Sequence, residues 1–326
     1  MNNRNLPELE YGPFAALSEP RPVTVVTSDG AWRAVKDLLN LNVEARLHIN
    51  EASEDHWQGR SRRVKGEAIY AVGTGVAVDA AKFMAKEHGL PLIALPTALS
   101  VDAFFNWTSA LRVSGRVVHV ETTAPEKVVI DFNVIGQAPA GVAAGGICDV
   151  LSIATACYDW KLAEDQNQNP AHLVFDPAAA QEAQIILQDV LDCAQAAGQG
   201  DHQGLNQLLN CLLREVELCN RIGHARPQEG SEHYLAASLE ANTSGKPTHS
   251  SLIGPSIVLI AAIQGQDTAR LKRALHDAHV PLDAIPRQTL FDTLRELGSY
   301  VRYHNLPYGV AHQLTDADLH HLAVLD

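Results

Sequence analysis

The chain has 326 residues, 46% of them hydrophobic, and its 25 basic and 38 acidic side chains give a net charge of −13. This length allows two domains with a large core, whereas the acidic balance argues against a nucleic acid or an anionic membrane as partner. No apolar run is long enough to span a membrane and the N-terminus lacks the pattern of an export signal, so we expect a cytoplasmic protein.

The first part of the chain alternates strand and helix signals after an arm, residues 1–20, that is expected to be poorly tied to the fold. Apolar, β-prone runs predict buried strands over residues 22–27, 43–49, 68–72, 92–95 and 127–131. Helices are predicted over residues 31–39 and from Val76 to a stop signal at Gly89. Because helices separate the strands, the sheet is expected to be parallel.

Two segments of this part depart from the alternation. Residues 50–65 are charged and predicted to be irregular, and residues 110–120 are predicted to form two short strands about Ser114-Gly115.

The part after residue 135 has helical patterns and no strand signal. The predicted helices cover residues 149–163, 177–197, 205–219, 267–279 and 289–302. The five cysteines lack CxxC spacing and are expected to be reduced core thiols. The pattern predicts an α/β domain over residues 1–135 and an all-α domain over residues 136–326, with the active site in the cleft between them.

A glycine loop, Gly73-Thr74-Gly75, follows the predicted strand 68–72 and precedes a helix. Small residues at a helix N-terminus let a ligand approach free N–H groups, which suits a pyrophosphate. The residues that follow, Val76, Ala77 and Val78, complete neither the three-glycine dinucleotide fingerprint nor a Walker loop. An ordinary strand-to-helix turn is the alternative.

One carboxylate and two imidazoles form a candidate metal-binding set. Asp149 lies at the start of a predicted helix, and His233 and His249 are separated by 16 residues. Three such ligands are typical of a catalytic zinc with one position open for water or substrate. The chain has 15 histidines, so a helix cap and two unrelated histidines are the alternative.

Six motifs in order resemble the sn-glycerol-1-phosphate dehydrogenase family. That family belongs to the superfamily of iron-containing alcohol dehydrogenases, glycerol dehydrogenases and dehydroquinate synthases. The pieces DWKLA and GSEH distinguish this branch from the general polyol dehydrogenases. The motifs are GTGVAVDAAK (73–82), PTALSVDAFFN (96–106), GGICDVLS (145–152), DWKLA (159–163), ARPQEGSEH (225–233) and KPTH (246–249).

The resemblance implies a Rossmann-like N-terminal domain, a helical C-terminal domain, NAD or NADP, and a divalent metal that is usually Zn²⁺. It implies reversible reduction of dihydroxyacetone phosphate to sn-glycerol 1-phosphate, a step of phospholipid metabolism. The substrate is then a phosphorylated polyol or ketone, and we expect a homo-oligomer.

The resemblance also implies roles for individual residues. Asp149, His233 and His249 hold the metal, Asp102 binds substrate, and Asp102 and Asp149 are the catalytic candidates. Asp79 and Lys82 match the family too, but at helical i, i+3 spacing we predict a structural ion pair. The residues that line the cofactor are Gly73, Thr74, Gly75, Val76, Ala77, Thr97, Ala98, Leu99 and Ser100, with Asn106 where a serine usually touches it.

Three positions depart from the family pattern near the expected reaction centre. Ala237 replaces a second histidine near the substrate, and Ser250 and Ala103 replace glycines. Arg226 and Lys246 are the basic residues nearest in sequence to the metal-binding motifs, and they are the candidates to bind a substrate phosphate. The departures leave open a polyol dehydrogenase for an unphosphorylated substrate, a dehydroquinate-synthase-like lyase, or a binding protein that has lost catalysis.

Overall fold

The structure, a computed structural model, describes residues 6–243 and 247–315 and contains a six-stranded parallel sheet. The parallel arrangement predicted from the sequence is confirmed, and the spatial order of the strands is β1-β8-β5-β4-β2-β3. The central strands are apolar because helices cover both faces of such a sheet. The strands are β1 Glu8–Tyr11, β2 Val23–Thr27, β3 Val43–His48, β4 Ala68–Val72, β5 Leu92–Leu95 and β8 Lys127–Ile130.

The predicted hairpin is also present and lies outside the parallel sheet. β6, Thr108–Val113, pairs with β7, Arg116–Glu121, in antiparallel register. Ser114 and Gly115 both adopt positive φ at the turn, as a tight hairpin connection requires.

Two predictions of irregular structure are wrong. Within the expected arm, β1 adds a parallel edge strand to β8, and the Asp131 carboxylate accepts the Phe14 N–H at 2.9 Å. Within residues 50–65, the helix α2, Glu54–Ser61, is capped by Ser53 and anchored by the buried Trp57. Both elements are short and mostly polar, so contacts with the rest of the fold determine them more than local pattern does.

The other helices of this part flank the sheet. α1 spans Asp29–Val35, and α3 spans Val76–His88, starting at Gly75 and ending at Gly89 in the left-handed conformation. The start and stop signals read for α3 are therefore confirmed.

The described residues after Ile130 are helical, as predicted. The segment predicted as one helix over residues 149–163 is two, α5 and α6, which meet at Ser152. All five cysteines are unpaired thiols, four of them buried. The division at residue 135 stays a prediction. The helices are α4 Phe132–Ile135, α5 Ile147–Leu151, α6 Ile153–Asp165, α7 Pro177–Gly198, α8 His202–Ile222, α9 Ser231–Asn242, α10 His249–Ile263, α11 Ala269–Asp277 and α12 Arg287–Tyr303.

Two of these helices, α9 and α10, are not predicted from the sequence. α10 is apolar on nearly all sides and contains Pro255, so it lacks the one-sided periodicity that indicates a surface helix. Neither helix, nor any other in the described part of the chain, is long and apolar enough to cross a membrane.

Backbone hydrogen bonds join the loop after β5 to the segment that leads into α5. Leu99 N–H donates to the Ala143 carbonyl at 2.9 Å, and Gly146 N–H donates to the Leu99 carbonyl at 2.7 Å. A Cβ on Gly146 would lie 2.8 Å from the Leu99 oxygen. The absence of a side chain at Gly146 therefore permits this close contact.

Gly146→Ala is expected to lower the free energy of unfolding by about 1–3 kcal/mol, because the added methyl group overpacks this junction. Gly59→Ala is the matched control, since Gly59 lies in α2 with no heavy atom within 4 Å of an added Cβ, and the control should gain up to about 1 kcal/mol. Urea unfolding curves measure both. Equal stability of the two variants would contradict the prediction.

Candidate metal and cofactor site

Asp149, His233 and His249 converge on one point although they lie far apart in sequence. α5 carries Asp149, the first turn of α9 carries His233, and His249 begins α10. One ligand atom from each lies within 4.8 Å of the others. His249 Nε2 is 2.9 Å from Asp149 Oδ1, and the two imidazole centroids are 5.9 Å apart.

The buried carboxylate of Glu232 orients His233. Glu232 Oε1 lies 2.9 Å from His233 Nδ1 and also accepts the Gly230 N–H at 2.7 Å. Glu232 Oε2 accepts the Thr155 hydroxyl at 2.8 Å. Because Nδ1 donates to a carboxylate, Nε2 is left as the ligand atom, which is the usual arrangement of a metal-binding histidine.

His233 also has a perturbed pKa. Burial acts to lower it, but the hydrogen bond to Glu232 and the negative charges of Glu232, Glu229 and Asp149 outweigh burial and raise the pKa to about 9. Without a cation, the proton therefore stays on His233 at neutral pH. A negative field of this kind attracts a positive ion.

Asp102 lies beside the metal-binding cluster. Its N–H donates to Asp149 Oδ2 at 3.2 Å, and its Oδ1 accepts the Asn106 amide at 3.2 Å. Burial, and then the charge of Asp149, raise the pKa of Asp102 to about 6, while Lys82 and Asn106 act to lower it. Asp102 is therefore mostly ionised above neutral pH and is able to accept a hydrogen bond from a hydroxyl group.

Lys82 fixes the loop that carries Asp102. Its buried ammonium pairs with Asp79 at 2.9 Å, which is the ion pair that the sequence predicts. It also donates to the Ala103 carbonyl at 2.9 Å and to Asn106 Oδ1 at 2.7 Å. Asn106, a predicted cofactor residue, thus bridges Lys82 and Asp102.

The residues predicted to line the cofactor fall in two neighbouring loops at the carboxyl ends of β4 and β5. Gly73 and Gly75 have positive φ, and no side chain caps α3, so its first N–H groups are free of side-chain acceptors. Ser100 Oγ donates to Thr74 Oγ1 at 2.8 Å and joins the loops. The side chains of Ala77, Ala98 and Leu99 are buried, so these residues offer only backbone to a ligand; Val76 and Thr97 are half-buried.

Asp159, of the DWKLA motif, fixes the beginning of α9. Its buried carboxylate accepts Ser231 N–H at 2.8 Å, Val310 N–H at 2.9 Å and the Gln264 amide at 2.9 Å. Ser231 Oγ in turn accepts Ala311 N–H at 3.0 Å. Two residues before His233, α9 is therefore tied to α6, to the end of α10 and to the C-terminal segment.

The residues that depart from the family pattern lie close to these groups. Ala237 is one turn after His233 on α9 and offers no polar group. The Ser250 hydroxyl is buried and lies 3.3 Å from the Gly141 carbonyl.

Of the two candidates for binding a phosphate, Arg226 is buried and donates to the Tyr308 carbonyl at 2.8 Å. The other, Lys246, lies outside the described residues.

The donor set fits a divalent metal. An aspartate oxygen and two imidazole nitrogens are ligands that zinc and related ions take, and Glu232 supplies the outer hydrogen bond that such a histidine needs. Sequence reasoning missed Glu232, although it stands next to His233 in the GSEH motif, because its burial arises only in the folded chain.

Comparison with known proteins relates the chain to alcohol dehydrogenases. A family model described as iron-containing alcohol dehydrogenase matches residues 18–139. A glycerol-1-phosphate dehydrogenase (NAD(P)+) of Sulfurisphaera tokodaii is 27% identical over 274 residues, which are 84% of this chain and 76% of that protein. Its counterpart from Aeropyrum pernix is 28% identical over 219 residues, which are 67% of this chain and only 61% of that protein.

Solved structures share the fold. A probable glycerol dehydrogenase from Sinorhizobium meliloti superposes with a TM-score of 0.69 over 97% of this chain and 95% of its own, at 15% identity. A sulfoacetaldehyde reductase from Bifidobacterium kashiwanohense, solved in complex with NAD+, gives 0.67 over 99% of both chains, also at 15% identity. The predicted fold class, a Rossmann-like parallel sheet followed by a helical half, is confirmed.

Glu232→Gln is expected to weaken zinc binding about 10- to 100-fold, because an amide holds the His233 ring less well than a carboxylate does. Competition with a chelating dye measures the dissociation constant. Glu217→Gln, at an exposed position on α8, is the control and should bind zinc like the unchanged protein. Unchanged affinity in Glu232→Gln would show that Glu232 has no such role.

Zinc affinity is expected to rise with pH. The ion displaces the proton of His233, whose pKa is about 9, so binding strengthens by about tenfold per pH unit from pH 7 and levels off near pH 9. The same titration in Glu232→Gln should level off at lower pH, because the main group that raises this pKa is gone. A pH-independent dissociation constant between pH 7 and pH 9 would contradict the assignment.

Proposed function

Because the chain belongs to the iron-containing alcohol dehydrogenase superfamily, we propose that it is a metal-dependent oxidoreductase that transfers hydride between NAD(P)H and a small ketone or alcohol. The observation that carries the proposal is the convergence of Asp149, His233 and His249 beside Asp102, whose loop is joined to the glycine loop by the Ser100–Thr74 hydrogen bond. Zinc is the metal we propose, because one carboxylate and two imidazoles suit it.

Each residue of the site has a defined task in this proposal. When bound, a divalent metal polarises a carbonyl or hydroxyl group and NAD(P)H supplies the hydride. Asp149 would hold the metal together with His233 and His249, and its Oδ2 accepts the Asp102 N–H. Asp102 accepts a hydrogen bond from a second hydroxyl of the substrate and so orients the reacting carbon. Glu232 keeps His233 in the tautomer that binds the metal.

The two loops after β4 and β5 are proposed to bind the dinucleotide. The start of α3, which no side chain caps, suits the negatively charged pyrophosphate. The Thr74–Ser100 hydrogen bond holds the loops together and shapes this surface. We further propose that the chain divides into domains near residue 135 and forms a homo-oligomer.

Two substrate classes are candidates. The names of the relatives favour glycerol 1-phosphate, and the family resemblance adds the corresponding ketone, dihydroxyacetone phosphate. The carboxylates around the metal-binding cluster, together with the engagement of Lys82 and Arg226 by other groups, favour an unphosphorylated polyol or ketone.

The zinc-loaded protein is expected to oxidise NADH or NADPH when dihydroxyacetone or its phosphate is added. The fall in absorbance at the band of the reduced nicotinamide measures this reaction. His233→Ala should lose both zinc and turnover. Asp102→Asn should keep zinc and lose about 100-fold in kcat/KM, since it removes a positioning carboxylate next to the reaction.

Protein that binds zinc but neither binds nor oxidises the reduced nucleotides would overturn the proposed function and favour a binding protein. Turnover of a sugar-acid phosphate without net change in NADH would favour a lyase.

A further inference from the structure

Asn106 and Asp102 lie four residues apart on one tight turn of the loop between β5 and β6. The Phe105 N–H donates to the Asp102 carbonyl at 2.8 Å, which closes this turn. Side chains at such a spacing lie on the same side of a turn, where an amide and a carboxylate are able to hydrogen-bond. The Asn106 amide accordingly donates to Asp102 Oδ1 at 3.2 Å.

The Asn106 amide is engaged at both of its ends. Its Oδ1 accepts the Lys82 ammonium at 2.7 Å, while its Nδ2 donates to Asp102. The oxygen and the nitrogen cannot exchange places, because a lysine only donates and an ionised carboxylate only accepts. Lys82 and Asp102 together therefore fix the orientation of this amide.

Lys82 is a rigid anchor for the amide. Its ammonium is fully buried and is also bound by the Asp79 carboxylate and by two backbone carbonyls of the loop. An ammonium has three N–H groups, so its four acceptors leave no donor for a substrate or a cofactor. The contacts of Lys82 thus stay within the protein: it holds Asn106, and Asn106 holds Asp102.

These contacts leave one carboxylate oxygen of Asp102 for a ligand. The backbone N–H of Asp102 donates to Asp149 Oδ2 at 3.2 Å, and Oδ1 accepts the Asn106 amide. Within the described part of the chain, no group hydrogen-bonds Asp102 Oδ2, and the residue is only half-buried. Oδ2 is therefore the oxygen that a substrate hydroxyl group is able to reach.

The geometry gives Asn106 a different role from the cofactor contact that the family pattern implies. A serine, the usual residue at this position, has a side chain one bond shorter, and its donor and acceptor are the same atom. It would not span the distance between Lys82 and Asp102 from the same backbone position. The asparagine does span it, so its contacts lie on the substrate side of the site.

Resting on the proposed dehydrogenase function, we propose that Asn106 is a positioning residue that acts through Asp102. The amide, itself held by Lys82, fixes the Asp102 carboxylate with Oδ2 towards a hydroxyl group of the substrate. A carboxylate that rotates freely would hold the substrate in the reactive orientation for only part of the time. Loss of this contact should therefore affect the ketone and leave binding of the nucleotide unchanged.

Asn106→Asp breaks one contact of the amide and keeps the other. The new side chain has the same size and still accepts from Lys82, but it presents an oxygen to Asp102, and two carboxylates repel each other. On the zinc-loaded full chain, kcat/KM for dihydroxyacetone or its phosphate, whichever the unchanged protein uses better, should fall at least about tenfold. The dissociation constant of NADH, measured by nucleotide fluorescence, should stay within about threefold. Asn210→Asp, at an exposed position on α8, adds the same charge and should change neither quantity.

Asn106→Ser tests the same contact without a new charge and should lower kcat/KM about three- to tenfold. The same substitution in an Asp102→Ala background, where the carboxylate is absent, should change kcat/KM by less than about twofold, because residues that act as one unit are not additive. A purely structural role of Asn106 would give the full effect in both backgrounds. Urea unfolding curves show whether both variants are folded.

Three results would overturn the assignment while the unchanged protein remains active. At least about tenfold weaker NADH binding in Asn106→Ser would indicate a cofactor contact. A full effect in the Asp102→Ala background, or loss of the folded state in both Asn106 variants, would indicate a structural role. Variants that behave like Asn210→Asp would show that Asn106 has no role. If the unchanged protein turns over neither ketone, the dehydrogenase proposal itself fails, and the role of Asn106 fails with it.

Discussion

The carboxylate of Asp149 is the point on which the site depends. One oxygen lies 2.9 Å from His249 on α10, and the other accepts the backbone N–H of Asp102 from the loop after β5. One side chain thus joins a helix of the second part of the chain to a loop of the sheet. Burial of a charge in this way is tolerated only when opposite charge and hydrogen bonds compensate it. A cation held by Asp149, His233 and His249 would supply that opposite charge.

Negative charge accumulates around that carboxylate and has two consequences. It raises the pKa of His233 to about 9, so that the ring keeps its proton at neutral pH without a cation, and burial together with these charges raises the pKa of Glu215 well above its usual range. The same negative field favours a cation at the place where Asp149, His233 and His249 converge.

Much of the fold follows from the sequence, because buried parallel strands have continuous apolar runs and α3 has clear start and stop signals. The strand β1 cannot be predicted in this way, because Glu8–Tyr11 is mostly polar and becomes a strand by pairing with β8. α10 escapes prediction because it is apolar all around. The three metal-ligand candidates are predicted from motifs and not from their spacing alone. The complete burial of Glu232 and Glu215 is not predicted from the sequence. A glutamate on an amphipathic helix looks like a surface residue until packing buries it.

The attachment of Asp159 to Val310 has a consequence for biosynthesis. The contacts that hold the first turn of α9, with His233, include Val310 and Ala311, which follow all three metal-ligand candidates in the sequence. During synthesis the α/β part is able to fold first, whereas this anchoring of His233 forms only after residue 311 has been added.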